Sequence, residues 1–423
     1  VGSVFIGIGN SAAINGPINI TNNTIGTVGS EAATYTIAST AANSFFRGIY
    51  NSNAGASGNL AITSNTIRGA AHTVAGVTPH TYIFNSGNCP SGHNIGSNTL
   101  TGIGTTGGTV IGIDDSSTSV NKTISGNTLS SLASTGAAVT GISSSSGTTV
   151  AIGSNTISNL SSTATGATAT VCAITATGGT TVSVTSNPIS NLSSANDGVF
   201  TGILMNAPAA TTVSVTSNTI NGMASTTTGA NSYVRGIEVL GICNANINTN
   251  SISNISSALT GNAGGILAIS NASTGTLSNI NGNTIFGINA TTSTGTNAIT
   301  VAGISTSNTS AGGTIAKNRI YGLTNGSTHA ANYTIGCMPN GGNWTFANNM
   351  ISITNNNTTQ AVGIYDTGAA GSRNYFYNSI YIGGTHAGTQ VSHAFQFNSA
   401  TGTANIKNNI FVMQRTSGAK NYA

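Results

Sequence analysis

Charge is what this sequence has least of. Its 423 residues include six acidic and ten basic side chains, 4% in all, where an ordinary soluble domain carries roughly 25%. Ser, Thr, Asn and Gly must therefore cover the surface. The net charge of +4 is spread from Arg47 to Lys420 with no basic stripe, which excludes the electrostatic footprint of a nucleic-acid binder. The four cysteines, Cys89, Cys172, Cys243 and Cys337, stand 71 to 94 residues apart. That spacing forms no metal motif and suits small buried hydrophobes, so neither a metal nor a cofactor is expected. No run of about 20 apolar residues is present, so no helix would insert in a membrane. No signal-like segment heads the chain, and a mature or trimmed start at Val1 is expected.

Helices are disfavoured as well. The 56 glycines are scattered throughout, and no segment keeps an i, i+3, i+4, i+7 apolar pattern free of Gly or β-branched residues. What is present is a repeat, clearest in Thr212–Met223, with the skeleton apolar-x-x-Asn-x-apolar-x-x-apolar. It is centred on Asn23, Asn65, Asn98, Asn127, Asn155, Asn187, Asn218, Asn250, Asn283 and Asn318. A modified form, with the apolar residue two places before the Asn, is centred on Asn348, Asn378 and Asn408. The anchors lie 28 to 35 residues apart, with one interval of 42. Self-similarity at that period means a solenoid. A Gly-Ile pair in a short apolar run follows most anchors, as in Gly141-Ile142, Gly202-Ile203, Gly236-Ile237, Gly303-Ile304 and Gly363-Ile364. Each coil then holds a Gly-Ile strand, an apolar strand ending at Asn, and a short strand beyond.

Alternation along a strand sends Val213 and Val215 inward. Asn218 and Ile220 share that face only if the two small residues after Val215 form a bend. An inward Asn has a physical use, because its amide can donate to the equivalent Asn one coil away and accept from the other neighbour. The expected ladder runs through Asn98, Asn127, Asn155, Asn187, Asn218, Asn250, Asn283 and Asn318. It satisfies amides that would otherwise each cost about 1–3 kcal/mol when buried. These strands and this ladder resemble the parallel β-helix, or pectate-lyase-like, superfamily, and the Asn/Thr/Ser/Gly-rich style resembles repeat regions of large secreted bacterial surface proteins. The fold expected is all-β, a right-handed parallel β-helix of about 13 coils of roughly 30 residues. It is read as one solenoid over 1–423, irregular over 1–64 with an insertion within 26–60, regular over 65–340, and aromatic-richer over 341–423.

Enzymes of the resembled superfamily act on acidic polysaccharides with carboxylates, bases or calcium grouped on one face. The local candidate is Asp114-Asp115 with Lys122 nearby, since adjacent carboxylates raise one another's pKa. A turn after the strand accounts for the same residues more simply. Glu238 matches Asp114 several coils on, while Asp197 and Asp366 stand alone. The histidines, His72, His80, His93, His329, His386 and His393, fall mostly in loops; His386 and His393 lack a third ligand. No P-loop, G-x-S-x-G or HExxH is present. Arg373, Tyr375 and Tyr377 are the candidate glycan contacts: with Phe376 inward, both tyrosines would face solvent and stack on sugar rings.

The reading expected from these features is a non-catalytic, secreted structural or adhesive β-helix of a bacterial cell-surface stalk, adhesin or filament. Its partners would be surface glycans and other copies of the chain end to end. A carbohydrate-binding or polysaccharide-active β-helix is the alternative, and an ice-binding solenoid with Thr rows is a remote one.

Overall fold

The computed structural model describes residues 4–26, 35–37, 45–52, 55, 58–68, 70–72, 79–102, 107–166, 169–195, 198–226, 233–258, 264–291, 299–307, 312–327, 329, 331–356, 358–386, 390–416 and 421–422. Among them every helix or strand element is a β-strand, paired in parallel, and the fold is a parallel β-solenoid. The chain divides into two compact units, Val1–Asn196 with Gly202–Thr211, and Asp197–Thr201 with Thr212–Ala423.

In the first unit each coil contributes the three strands read from the sequence. One coil shows them all: a Gly-Ile strand Val110–Asp115, a ladder strand Asn121–Ser125 and a short strand Thr128–Ser130. The register puts like on like. Ile113 lies between Ile83 and Ile142, Ile124 between Ile95 and Ile152, and Leu129 between Leu100 and Ile157. All nine are at most 1% exposed, and each such side chain contributes roughly 1.5–3 kcal/mol on burial. Glycine precedes the isoleucine because the next coil is so close: a Cβ on Gly141 would lie 2.5 Å from the Ala173 carbonyl oxygen. From the insertion read over 26–60, the strand Tyr35–Ile37 pairs in parallel with Ala70–His72; residues 27–34 and 38–44 lie outside the described set.

The second unit repeats this coil. Its Gly-Ile strands Gly264–Asn271, Ile299–Thr306 and Tyr333–Pro339 pair in order, as do the ladder strands Leu277–Asn281, Gly312–Ala316 and Asn343–Ala347. Of the aromatic residues over 341–423, Phe376, Phe395, Phe397 and Phe411 are half-buried. Trp344, Phe346 and Tyr375 are fully buried, and Phe346 stacks on Tyr375 at 5.0 Å, which meets Phe395 edge-on at 4.7 Å.

The corner between the ladder strand and the short strand is built the same way in every coil. The residue before the inward Asn takes a left-handed conformation, as at Ser97 (φ 55°), Gly126 (φ 66°), Ser217 (φ 56°) and Lys317 (φ 58°). Glycine and asparagine suit that conformation best, and Ser, Thr, Lys and Tyr also take it at these corners. The bend turns the next residue inward. In the first unit the Nδ2 groups of Asn23, Asn65, Asn98, Asn127 and Asn155 each donate to the Oδ1 of the following Asn, ending at Asn187, at 2.9–3.0 Å. In the second unit the series runs Asn218, Asn250, Asn283, Asn318, Asn349, Asn378 and Asn409 at 2.9–3.0 Å. Each Oδ1 also accepts the backbone N–H of the preceding rung, as Asn127 does from Asn98 at 3.0 Å. The second Nδ2 hydrogen reaches a carbonyl of the preceding coil's ladder strand, as Asn127 reaches Ile95 at 2.9 Å. From Asn65 to Asn187 and from Asn218 to Asn378 these hydrogen-bonded carboxamides are buried.

The modified repeat is a correction. Asn348 and Asn408 are the left-handed residues of their corners, each at φ 56°, and the rungs are Asn349 and Asn409. Phe346 then stands three positions before Asn349, Tyr375 three before Asn378 and Ile406 three before Asn409, the offset of the earlier coils. No bend loses a residue.

Candidate functional site

The end of the Gly-Ile strand forms a second corner with its own polar column. In the first unit Asn10 Nδ2 donates to Asn51 Oδ1 at 2.8 Å, Asn51 to Asn85 at 2.7 Å, and Asn85 to Asp115 Oδ1 at 2.9 Å. The same oxygens accept an N–H two residues on, from Gly87 for Asn85 and from Ser117 for Asp115, both at 3.3 Å. The side chain thus closes the turn as an Asx motif. The turn read at Asp114-Asp115 is there, and its capping residue is an internal carboxylate.

Two basic side chains meet that carboxylate from inward positions that other coils fill with Leu or Val. His93 aligns with Leu60, and Lys122 with Val150. His93 Nε2 lies 3.1 Å and Lys122 Nζ 3.5 Å from Asp115 Oδ2, and the Asp115, His93 and Lys122 side chains have no exposed surface. Lys122 Nζ also donates to the carbonyls of Ser145 at 2.7 Å and Asp115 at 3.2 Å. His93 Nδ1 faces Ser119 Oγ at 3.2 Å and Ser117 Oγ at 3.5 Å. Burial works against the Asp115 charge, but His93, Lys122 and Ser117 together hold its pKa below the usual carboxylate range. Asp114 points the other way. Burial and the neighbouring Asp115 push its pKa up, with Arg47, Ser143 and Lys122 opposing. The adjacent acids therefore face opposite ways and share no substrate position.

The second unit places an acid and a base at the same two positions of a coil. Asp366 ends the strand Gln360–Asp366, and its Oδ1 accepts Gly368 N–H at 3.0 Å. Arg373 Nε and Tyr375 Oη each donate to Asp366 Oδ2 at 2.5 Å. The remaining guanidinium nitrogens donate to the carbonyls of Gly342, Ala370 and Gly368 at 2.7–3.1 Å. Burial and the adjacent Asp366 push the Tyr375 pKa far up. Seven residues separate Asp366 from Arg373, the interval that also separates Asp115 from Lys122. Of the three candidate glycan contacts, Arg373 (1%) and Tyr375 (0%) are therefore inside, and only Tyr377, 58% exposed, faces solvent. The alternation is offset by one residue from the reading that put Phe376 inward. Tyr377 is the left-handed corner residue (φ 57°).

The expected loop positions of the histidines also need correction. His80, His93 and His386 are buried; His80 Nδ1 accepts Phe46 N–H at 3.2 Å and His386 Nε2 sits 3.1 Å from the Thr358 carbonyl. No group of three His, Cys, Asp or Glu able to hold a metal occurs among the described residues. All four cysteines are buried thiols, as their spacing implied. Burial pushes Cys172 up to about 12 and Cys243 up to about 11, and Cys337 upward as well. A thiol-alkylating reagent at pH 8 is accordingly expected to leave the native protein unmodified and to label four thiols after denaturation; rapid native labelling would contradict the packing.

On the outer face of the second unit's Gly-Ile strands, Arg235 and Glu238 form an ion pair, and the guanidinium lies 5.1 Å from the Tyr233 ring. Ser270 and Ser305 continue the Glu238 row. These residues, with Thr300 and Met338, line a groove. The sequence signal missed was the pairing: strict alternation puts residues three apart on opposite faces, and Arg235 and Glu238 share one face because Gly236 and Ile237 between them are both buried. Asp197 lies outside the described residues.

Fold and corners together define a parallel β-solenoid with internal Asn ladders and buried acid–base locks. No family model, curated protein or solved structure matches the chain.

Proposed function

We propose that this chain is a non-catalytic structural or adhesive β-solenoid, working outside the cell in a surface stalk, adhesin or filament. One observation carries the reading. Among the described carboxylates, Asp115 and Asp366 close corners from inside the core, Glu238 is tied to Arg235, and Asp114 faces away from Asp115. General acid–base cleavage of a polysaccharide needs carboxylates or bases that converge on a substrate, and these are spent on architecture. A surface of Ser, Thr and Asn, with few charges, provides many weak polar contacts to surface glycans or to other copies end to end.

The second reading, a carbohydrate-binding solenoid, is favoured by the groove at Tyr233, Arg235 and Glu238. An aromatic wall beside a charged donor–acceptor pair suits sugar hydroxyls. One experiment separates the two: incubation with neutral and acidic polysaccharides, following product release and electrophoretic retardation. No product and no Glu238-dependent retardation are expected. Cleavage lost in Asp114→Ala would overturn the non-catalytic reading, and retardation lost in Glu238→Gln would establish the groove as a glycan site.

A further inference from the structure

The two acid–base corners share their place in the coil and their seven-residue spacing, yet they differ in one chemical respect. Arg373 carries a guanidinium that stays protonated and is no nucleophile; Lys122 carries a primary amine. The amine is 3.5 Å from Asp115 Oδ2, which holds it beside the carboxyl carbon it would attack. Around the carboxyl group the neighbours are divided by role. Oδ1 receives two N–H donors, Asn85 Nδ2 at 2.9 Å and Ser117 N at 3.3 Å. Oδ2 lies beside His93 Nε2 at 3.1 Å, and that contact helps hold the Asp115 pKa down.

We propose that Lys122 and Asp115 condense into an intramolecular amide, an isopeptide bond between Nζ and Cγ. The neutral amine attacks Cγ, and the charge that develops on Oδ1 is held by the Asn85 and Ser117 donors, which act as an oxyanion hole. Before the attack Nζ passes one proton to Oδ2, beside which it lies; His93 Nε2 then delivers a second proton to Oδ2, the Cγ–Oδ2 bond breaks, and Oδ2 leaves as water. The second proton lost from Nζ restores His93. The sum is ammonium plus carboxylate giving amide plus water, balanced in atoms and charge, with no oxidant, reductant or cofactor.

Two physical terms favour it at this place. Fixed neighbours in a folded core have effective molarities of 10⁵ M or more, on the order of those measured for intramolecular reactions. An ion pair removed from water also carries a desolvation penalty on both partners, which the neutral amide relieves. Burial already lowers the Lys122 pKa, with Asp115 and Asp114 opposing, which favours the amine form that attacks. The product ties the end of the Gly-Ile strand to the ladder strand of the same coil, so that pulling on the chain cannot open this corner. It holds whether or not the chain is an adhesin.

The test is the intact mass of the purified, folded full chain. The mass expected is that of the sequence less one water, with trypsin no longer cutting after Lys122, so that residues 69–235 appear as one peptide less one water. Lys122→Arg should restore the full mass, because arginine cannot react. His93→Gln should slow the cross-link by about a hundredfold, the usual scale of a lost acid–base group, so that uncondensed chain is seen early after folding. A folded wild-type chain at full mass would overturn the proposal outright. So would a lost water that persists in Lys122→Arg. A His93→Gln chain that condenses as fast as wild type would overturn the assigned proton path.

Discussion

Asp366→Ala is expected to destabilise the second unit by about 3–5 kcal/mol, the scale on which a buried ion pair resists loss of one partner. The substitution leaves the Arg373 guanidinium, 1% exposed, without its counter-charge. It also strands the Tyr375 hydroxyl and the Gly368 N–H, which have Asp366 as their acceptor. Carbonyls of Gly342, Gly368 and Ala370 would still hold the guanidinium but cannot neutralise it. A double variant, Asp366→Ala with Arg373→Met, should recover more than half of the loss, because an apolar side chain of similar length needs no partner there. Urea unfolding followed by the fluorescence of Trp344, the one tryptophan of the chain, reports directly. Trp344 is buried and donates to the Gly341 carbonyl beside the same corner. A single-variant effect below about 1 kcal/mol, the level of an exposed pair, would mean that the corner is not load-carrying.

Much of the architecture was legible because the strand period and the coil period are both written in apolar residues. Val213, Val215 and Ile220 predict their own burial, and Asn218 stands out as the polar residue on that face. Charge at inward positions was not legible in the same way. Lys122 interrupts a column that continues as Val150 and Val182, and the pattern alone treats such a residue as an exception to be placed on the surface. Its partner Asp115 is seven residues away along the chain, and His93 comes from the preceding coil, so only the stacked register brings the three together. A signal did exist: Ile-x-Asn or Ile-x-Asp ends the strands at Asn51, Asn85, Asp115, Asn271 and Asp366. Repeated Asn or Asp after Ile-x marks a second polar column just as Ser-Asn marks the first. Where two asparagines are adjacent, the repeat cannot choose between them by composition. The backbone chooses, because the left-handed residue must come first and the inward residue second.

That choice defines the most direct measurement. Asn349 accepts from the Asn318 backbone N–H at 3.1 Å and from its Nδ2 at 3.0 Å, and it donates to Asn378 Oδ1 at 2.9 Å and to the Ile315 carbonyl at 2.7 Å. Asn348 is exposed and serves the corner through its φ of 56°. Asn349→Ala orphans several buried groups at about 1–3 kcal/mol each, so a loss on the order of 3 kcal/mol is expected. Asn348→Gly keeps the left-handed conformation and should lie within about 0.5 kcal/mol of wild type. The decisive measurement is the unfolding free energy of these two variants, compared side by side by urea titration with Trp344 fluorescence. A large loss at Asn349 with none at Asn348 is the predicted result; equal losses, or the larger loss at Asn348, would contradict the ladder as the core of this fold.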